Sequence, residues 1–224
     1  MSKHLERDLD NLQRDIVSLA SQVEETLYKA IRSLERREAD LARQVIVGDA
    51  QIDEQENHIE EECLKILALH QPVAIDLRRI ATVLKINTDL ERMADLAVDI
   101  AERAVALHRL PLIPIPNDLQ RMTDLATSMV RQSLDAFVHL DARLARRVIR
   151  LDDEVDRYNR EIIDELVRLM QQSPEMVEAG LSLFSVTRHV ERIADHATNI
   201  AEDVVYLVEG EIVRHRPEAV EVSE

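Results

Sequence analysis

Two segments one hundred residues apart decide the fold: residues 89–102 read DLERMADLAVDIAE, and residues 189–202 read HVERIADHATNIAE. They align without gaps and are identical at eight of fourteen positions, whereas unrelated helices of average composition would share about one. Their apolar residues recur at spacings of three and four, as in amphipathic helices. We therefore interpret the chain as an internal duplication of one helical unit.

The composition is typical of a helical protein. The 224 residues include only three Gly and six Pro, which is too few for the turns of a β-sandwich, a β-barrel or a doubly wound sheet. We predict an all-α fold of six long helices that form two pseudo-symmetric antiparallel three-helix bundles. The predicted helices cover residues 4–47, 49–69, 73–109, 117–150, 152–172 and 175–209.

The helix boundaries are inferred from the few Gly and Pro residues. Gly48 is expected to end the first helix, with Asp49 as the N-cap of the second, and a further helix is expected to restart at residues 151–153. The Pro-rich stretch LPLIPIPND, residues 110–118, separates the halves. The predicted organisation is a first repeat (1–110), a Pro-rich connection (111–116), a second repeat (117–210) closed by Gly210, and a frayed or disordered acidic tail (211–224).

Charge and composition exclude several functions. The formal net charge is −16, with no Trp, three Tyr and two Phe, so nucleic-acid binding is not expected. The three glycines are too far apart for a GxGxxG or Walker loop. No uncharged apolar run of membrane-spanning length and no hydrophobic signal segment is present. We expect a soluble cytoplasmic protein, in which the single cysteine, Cys63, packs in the core.

Each repeated segment carries a row of acidic side chains. At 100° per residue, these side chains share one helical face and the apolar residues take the other. The first row is Glu91, Asp95, Asp99 and Glu102, and the second is Glu191, Asp195, Asn199 and Glu202. Packing does not dictate residue identity at solvent positions, so the repetition of the acidic face requires another explanation.

Carboxylates one turn apart repel each other and weaken their own helix. They can also converge on a hard or borderline cation such as Mg²⁺, Mn²⁺ or iron. The residues alone leave three interpretations open: a cation site, a surface for a basic partner, or an ordinary solvated face.

Residues close to the two rows have simpler explanations. Arg92 and Arg192 are expected to pair locally on their helices, although either could steady a carboxylate or contact a partner. His189 and His196 lie at the edge of the core-facing arc and are interpreted as packing residues. Helix capping and the helix dipole are expected to explain four further acids, Asp49, Asp53, Asp152 and Asp156.

No catalytic motif is recognisable, so the chain is not expected to be an enzyme. A ferritin-like site needs Glu-x-x-His, and no histidine has a Glu three positions before it. HExxH is absent, and no serine or cysteine lies in a recognisable nucleophile context.

The two Glu-Arg-x-Ala-Asp segments, together with the ending YLVEGEIVRH at residues 206–215, resemble the PhoU family of phosphate-signalling regulators over almost the whole chain. The resemblance implies two three-helix bundles that bind metal clusters through acidic ExxxD motifs on their outer surface. The metal ligands that it implies are Glu91, Asp95, Asp99, Glu191, Asp195 and Asn199, with Glu102, Glu202, Arg92 and Arg192 as further metal or partner contacts. Ala94 and Ala194 depart from the glycine that is common before the motif aspartate, and Asp99 stands where Asn is frequent.

The resemblance also implies a function. It predicts a cytoplasmic negative regulator that links the ATPase subunit of a phosphate ABC transporter to a sensor histidine kinase, and that binds iron, Mg, Mn or Zn. A homodimer is expected separately, from the exposed residues on the long bundles. Neither nucleic-acid binding nor membrane insertion is expected. The alternatives are a metal-free helical adaptor and a metal-dependent enzyme or metal store.

Overall fold

The computed structural model describes residues 3–214, which form six long helices. A one-turn 3₁₀ helix, Pro174–Met176, precedes the last of them, and no strand occurs within these residues. The prediction of an all-α fold of six helices is confirmed. The helices are α1 (Lys3–Glu35), α2 (Ala39–His70), α3 (Ala74–His108), α4 (Asn117–His139), α5 (Ala142–Gln172) and α6 (Val177–Glu209).

The helices pack as two bundles joined side by side. Helices α1, α2 and α3 contact one another, as do α4, α5 and α6, and the bundles meet where α3 packs on α6 and α1 approaches α4. The buried apolar residues of both bundles form one continuous core. Cys63 is fully buried within it, and burial raises the pKa of its thiol to about 12, which confirms that it is a core residue rather than a reactive thiol.

The first helix break was predicted at Gly48, and this was wrong. The chain turns at residues 36–38, and Gly48 lies inside α2. Arg37 takes a left-handed conformation, with φ of 54°, and its guanidinium donates hydrogen bonds to the carbonyl oxygens of Leu107 and Leu110. An arginine therefore makes the turn that glycine was expected to make.

The helix break predicted at residues 151–153 was also wrong, because here too a residue other than glycine makes the turn. The chain turns at Leu140, which has φ of 52°, and Asp141 starts α5. The Asp141 carboxylate accepts hydrogen bonds from the backbone N–H groups of Arg143 and Leu144 at 2.9 and 3.0 Å, as an N-cap does. Residues 151–153 lie within α5.

The remaining boundaries follow the sequence closely. The Pro-rich connection leaves α3 and enters α4 at Asn117, and Gly210 ends α6 in the left-handed conformation, with φ of 75°. The tail was expected to fray from residue 211, but Val213 is buried against the core. Residues 215–224 lie outside the described part of the chain. Among residues 3–214, no helix has the length and hydrophobicity needed to cross a bilayer.

Candidate functional site

The first group of carboxylates lies between α2 and α3. Glu91 and Asp95 are one turn apart on α3, and α2 brings Asp49, Asp53 and Glu56 close enough to repel them. Burial is the main cause of the raised pKa of Asp49 and of Glu91, and the neighbouring carboxylates raise both pKa values further. We call these five residues the first acidic cluster.

The second repeat builds the same arrangement from α5 and α6. Burial raises the pKa of Asp152 to about 6, and repulsion from Asp195 and Asp156 contributes to the rise. The pKa of Glu191 is raised first by burial and then by Asp195. These four residues, Asp152, Asp156, Glu191 and Asp195, are the second acidic cluster. Both clusters thus hold carboxylates that are partly desolvated and mutually repulsive.

Helix capping and the helix dipole were predicted to explain Asp49, Asp53, Asp152 and Asp156, and this was wrong. Asp49 and Asp152 lie more than two turns inside their helices, where no free backbone N–H remains to be capped. The misplaced breaks caused the error. The sequence did contain a signal, because Asp49 and Asp53 have the same one-turn spacing as Asp152 and Asp156, and as Glu91 and Asp95.

The clusters are only partly neutralised. Arg92 lies 3.4 Å from carboxylate oxygens of both Glu91 and Asp95, which confirms its local pairing, and Arg188 lies 2.8 Å from Glu191. Burial and repulsion from Asp156 raise the pKa of Asp195, and the charge of Arg192 offsets only part of this rise. Two carboxylate oxygens, one on Asp49 and one on Glu191, are nevertheless buried without a hydrogen-bond partner. Within residues 3–214, no three His, Cys, Asp or Glu side chains are already arranged to hold a metal ion.

Asp99 and Asn199 face the opposite repeat rather than these clusters. The Asp99 carboxylate lies 3.7 Å from Nδ1 of His189, and the Asn199 amide donates to the Asp89 carboxylate at 3.3 Å. Nδ1 of His196 is 2.8 Å from the same Asp89 oxygen. The structure therefore places these two predicted ligands in the seam between α3 and α6.

A further contact in this seam was not found by sequence reasoning. Nζ of Lys85 donates to the Asp203 carboxylate at 2.7 Å, and Asp203 is buried. The two positions do not correspond in the repeat, since position 185 is Ser and position 103 is Arg, so no repeated motif could reveal the pair. We call the contacts of Lys85, Asp89 and Asp99 with α6 the inter-repeat contacts.

The outermost acids of the two rows lie apart from the clusters. Glu102 is exposed, and the Glu202 carboxylate accepts a hydrogen bond from Nε of Arg214 at 3.0 Å. Their predicted role as further metal or partner contacts stays a prediction.

Comparison with known proteins identifies the family. The model of the PhoU domain matches residues 16–104 and 119–204. A phosphate-specific transport system accessory protein PhoU homolog of Aquifex aeolicus is 40% identical over 211 residues, covering 94% of this chain and 95% of the relative. The corresponding homolog of Pseudomonas putida is 38% identical and covers 96% of this chain and 84% of its own length.

Solved structures agree with this comparison. The crystal structure of PhoU from Pseudomonas aeruginosa has a TM-score of 0.90 and 37% identity, with 92% of this chain and 99% of the other covered. The phosphate transport system regulatory protein PhoU from Streptococcus pneumoniae gives a TM-score of 0.87 at 30% identity, with 93% and 99% covered. The two matched domains correspond to the duplicated halves of the sequence, and the chain belongs to the PhoU family.

Proposed function

We propose that this protein is a cytoplasmic accessory regulator of phosphate transport. In this role it links the ATPase subunit of a phosphate ABC transporter to a sensor histidine kinase, and it represses the phosphate-starvation response when phosphate is plentiful. Membership of the PhoU family supports the transport role, as does the naming of its relatives as accessory proteins of phosphate-specific transport. We further propose that the protein acts as a homodimer.

The observation that carries the chemical part of the proposal is the pair of matched acidic clusters. In each repeat, acids from two neighbouring helices are held together although burial and mutual repulsion raise their pKa values. A bound ligand explains why both repeats hold carboxylates with raised pKa values close together, whereas an ordinary solvated surface does not require them.

The residues fit a divalent cation such as Mg²⁺, Mn²⁺, Zn²⁺ or iron by the chemistry of their donor atoms. Oxygen donors predominate at such sites for hard cations, and the unpartnered oxygens of Asp49 and Glu191 lie within the clusters. A bound cation would supply the positive charge that offsets carboxylate repulsion. The side chains of each cluster would have to rotate toward one another, since they are not yet convergent.

Metal analysis of the protein purified without added metal tests this part directly. We expect metal in the unaltered protein and none in a variant with Glu91, Asp95, Glu191 and Asp195 replaced by Lys. A matched control replaces four exposed acids outside the clusters, Asp10, Glu61, Glu165 and Glu178, by Lys. Equal metal content in both variants, or none in the unaltered protein after reconstitution, would refute the proposed sites.

The regulatory part requires a cellular readout. The four-site cluster variant should derepress starvation genes in phosphate-rich medium, while the four-site control should still repress them. Capture of the transporter ATPase subunit and the kinase by each variant then shows whether the clusters contribute to docking. Full repression by the cluster variant would contradict the proposed mechanism.

A metal-free adaptor is the alternative, and the unconverged carboxylates favour it. In that case the clusters meet basic side chains of a partner. This alternative would be supported if the metal-stripped protein still captures its partner and the cluster variant does not, because the carboxylates would then bind the partner without a cation.

A further inference from the structure

Two matching segments of α2 and α5 carry different charges on their exposed sides. Residues 39–49 read ADLARQVIVGD and residues 142–152 read ARLARRVIRLD, and they are identical at seven of eleven positions. Three of the four differences place an arginine in α5, and all three arginines are exposed. We call Arg143, Arg147 and Arg150 the arginine stripe. The corresponding residues of α2 are also exposed but carry no positive charge: Asp40, Gln44 and Val47. The two helices therefore share most of their packed residues and differ in surface charge.

The three arginines of the stripe share one face of α5. Their spacing of i, i+4 and i+7 covers about two turns, or about 10 Å along the helix axis. Like charges one turn apart repel each other, and Arg143 lies in the first turn of α5, where the helix dipole disfavours positive charge. Within residues 3–214, none of the three guanidinium groups forms an ion pair with a carboxylate. Local pairing on α5 therefore does not explain the stripe.

Carboxylates surround the stripe and limit its size. Asp141 precedes it, and residues 153–154, which follow it, are both acidic and exposed. At the end of α6, Glu209 and Glu211 lie 2.6 and 3.7 Å from the guanidinium group of the buried Arg146. The positive surface is therefore confined to about two turns of one helix.

The small size of the positive surface decides which kind of ligand it fits. A nucleic acid or an anionic bilayer carries negative charge over far more than 10 Å, so it would meet the flanking carboxylates and a chain of net charge −16. A short acidic helix does not extend beyond the stripe. Three carboxylates at i, i+4 and i+7 on such a helix span the same distance on one face. Each can therefore face one guanidinium group, which forms strong, directional hydrogen bonds with a carboxylate.

We propose that the arginine stripe binds a short acidic α-helical segment of a partner protein, which carries three Asp or Glu residues at the spacing i, i+4 and i+7. The second repeat alone provides this docking site. It goes beyond the proposed function, because neither acidic cluster takes part in the contact.

A second copy of this chain fits the stripe less well. Among residues 3–214, two rows of carboxylates have the required spacing: Asp49, Asp53 and Glu56, and Asp95, Asp99 and Glu102. In the first row, Glu56 accepts a hydrogen bond from the Asn87 amide at 3.1 Å. In the second, Asp99 lies 3.7 Å from His189. Neither row presents three unengaged carboxylates to another molecule, so the partner is a different protein.

A labelled acidic peptide tests the proposal on the full-length protein. The probe is an Ala-rich helical peptide of about 18 residues with three glutamates at i, i+4 and i+7. A control peptide of the same composition has its glutamates five positions apart, and therefore on three different faces. Fluorescence anisotropy at low salt should show that the probe binds about tenfold more tightly than the control peptide, and added salt should weaken its binding. A chelator in every sample removes any contribution of cations at the acidic clusters, so failure here is distinguishable from failure of the proposed function.

Neutralising the stripe should remove the tenfold preference for the probe. The stripe variant replaces Arg143, Arg147 and Arg150 by Gln. A matched control variant has the same net charge and should keep the preference, because it replaces three exposed arginines outside the stripe by Gln: Arg43, Arg109 and Arg168. Circular dichroism checks that both variants remain helical.

A graft onto the first repeat separates binding from a structural role of the arginines. Asp40→Arg, Gln44→Arg and Val47→Arg, introduced into the stripe variant, place the same three charges on the matching face of α2. This graft should restore the preference for the probe. An arginine stripe that only stabilises α5 would produce no such recovery.

Several results would overturn the proposal. Three of them are equal binding of the two peptides by the unaltered protein, an unchanged preference in the stripe variant, and no recovery in the graft. Stripe-dependent binding of phosphatidylserine vesicles or of an oligonucleotide more tightly than the probe would assign the stripe to an extended polyanion. Loss of a dimer in the stripe variant, measured by sedimentation, would assign it to a second copy, and probe binding only after removal of residues 215–224 would assign it to the acidic end of the chain itself.

Discussion

Replacing each of the three glycines by alanine should produce three different effects on stability, because each glycine has a different environment. Gly48 lies inside α2, and nothing would lie within 4 Å of a Cβ added there. Gly180 lies inside α6, where a Cβ would come 2.7 Å from Cγ of Met170. Gly210 ends α6 at φ of 75°. Only the first position has a helical backbone together with open space.

The expected magnitudes follow from these environments. Gly48→Ala should raise the free energy of unfolding by about 0.5–1 kcal/mol, the difference in helix propensity between the residues. Gly180→Ala gains the same amount but forces Met170 to move, at a packing cost of about 1–3 kcal/mol, so the net effect is a loss of about 1 kcal/mol. Gly210→Ala should cost about 1 kcal/mol or more, because alanine is strained in the left-handed region.

Urea unfolding monitored by circular dichroism measures all three changes. A chelator in every sample prevents cation binding beside Gly48 from altering the comparison. For a chain of this length, the Gly48→Ala gain corresponds to an increase in Tm of about 1–4 °C. If Gly48→Ala destabilises the protein, then α2 does not continue through residue 48 and the helix break lies there after all.

Three further perturbations test other parts of the structure. Lys85→Met should lower the free energy of unfolding by about 2 kcal/mol, because it leaves the buried Asp203 carboxylate without its partner; the double variant with Asp203→Leu should recover part of the loss, and purely additive effects would contradict the pairing. Burial and repulsion raise the pKa of Asp152 to about 6. Between about pH 4 and pH 6 the folded chain therefore keeps a proton on this carboxyl that the unfolded chain has released. As the pH rises through that range, the Asp152 carboxyl lowers the free energy of unfolding by an increasing amount. Asp152→Asn should therefore stabilise the metal-free protein more at pH 7 than at pH 4, and an equal effect at both would show that the pKa is not raised. Asp141→Ala should lower the free energy of unfolding by about 1 kcal/mol, because the N-cap is lost, whereas Asp49→Ala should remove no capping interaction. A larger loss of stability at Asp49 than at Asp141 would indicate that Asp49 is a helix cap after all.

The repeat and the shared face of the first two acids of each row could be predicted because α3 and α6 are long and strongly periodic. In such helices, the position of one residue fixes the direction of every other residue on the wheel. Glu91 and Asp95 therefore share a face, as predicted, and so do Glu191 and Asp195. This prediction requires neither the position of a helix break nor the position of a residue on another helix.

The helix breaks could not be predicted in the same way. At Arg37 and Leu140 a residue other than glycine adopts the left-handed conformation. At Arg37, contacts outside the turn compensate for the strain. The Arg37 guanidinium meets two carbonyl oxygens at the end of α3, about seventy residues away in sequence. Helix propensities contain no information about such contacts, so the break was predicted at the nearest glycine, Gly48.

The inter-repeat contacts show where the duplication has diverged. With a repeat offset of one hundred residues, the contact of Asp89 with Asn199 and the contact of His189 with Asp99 are the same pair of positions with the repeats exchanged. Strict two-fold symmetry would have paired identical residues in both. The acidic clusters, in contrast, share four carboxylates between the halves: Glu91 and Asp95 recur at the offset of one hundred residues, and Asp49 and Asp53 recur at an offset of 103. Only Glu56 has no acidic counterpart, since position 159 is Asn. Since the seam only has to be complementary, each side can change if the other compensates. Retention of the same acidic chemistry in two separate clusters is, in contrast, what the proposed function requires, because each half would then bind the same kind of ligand.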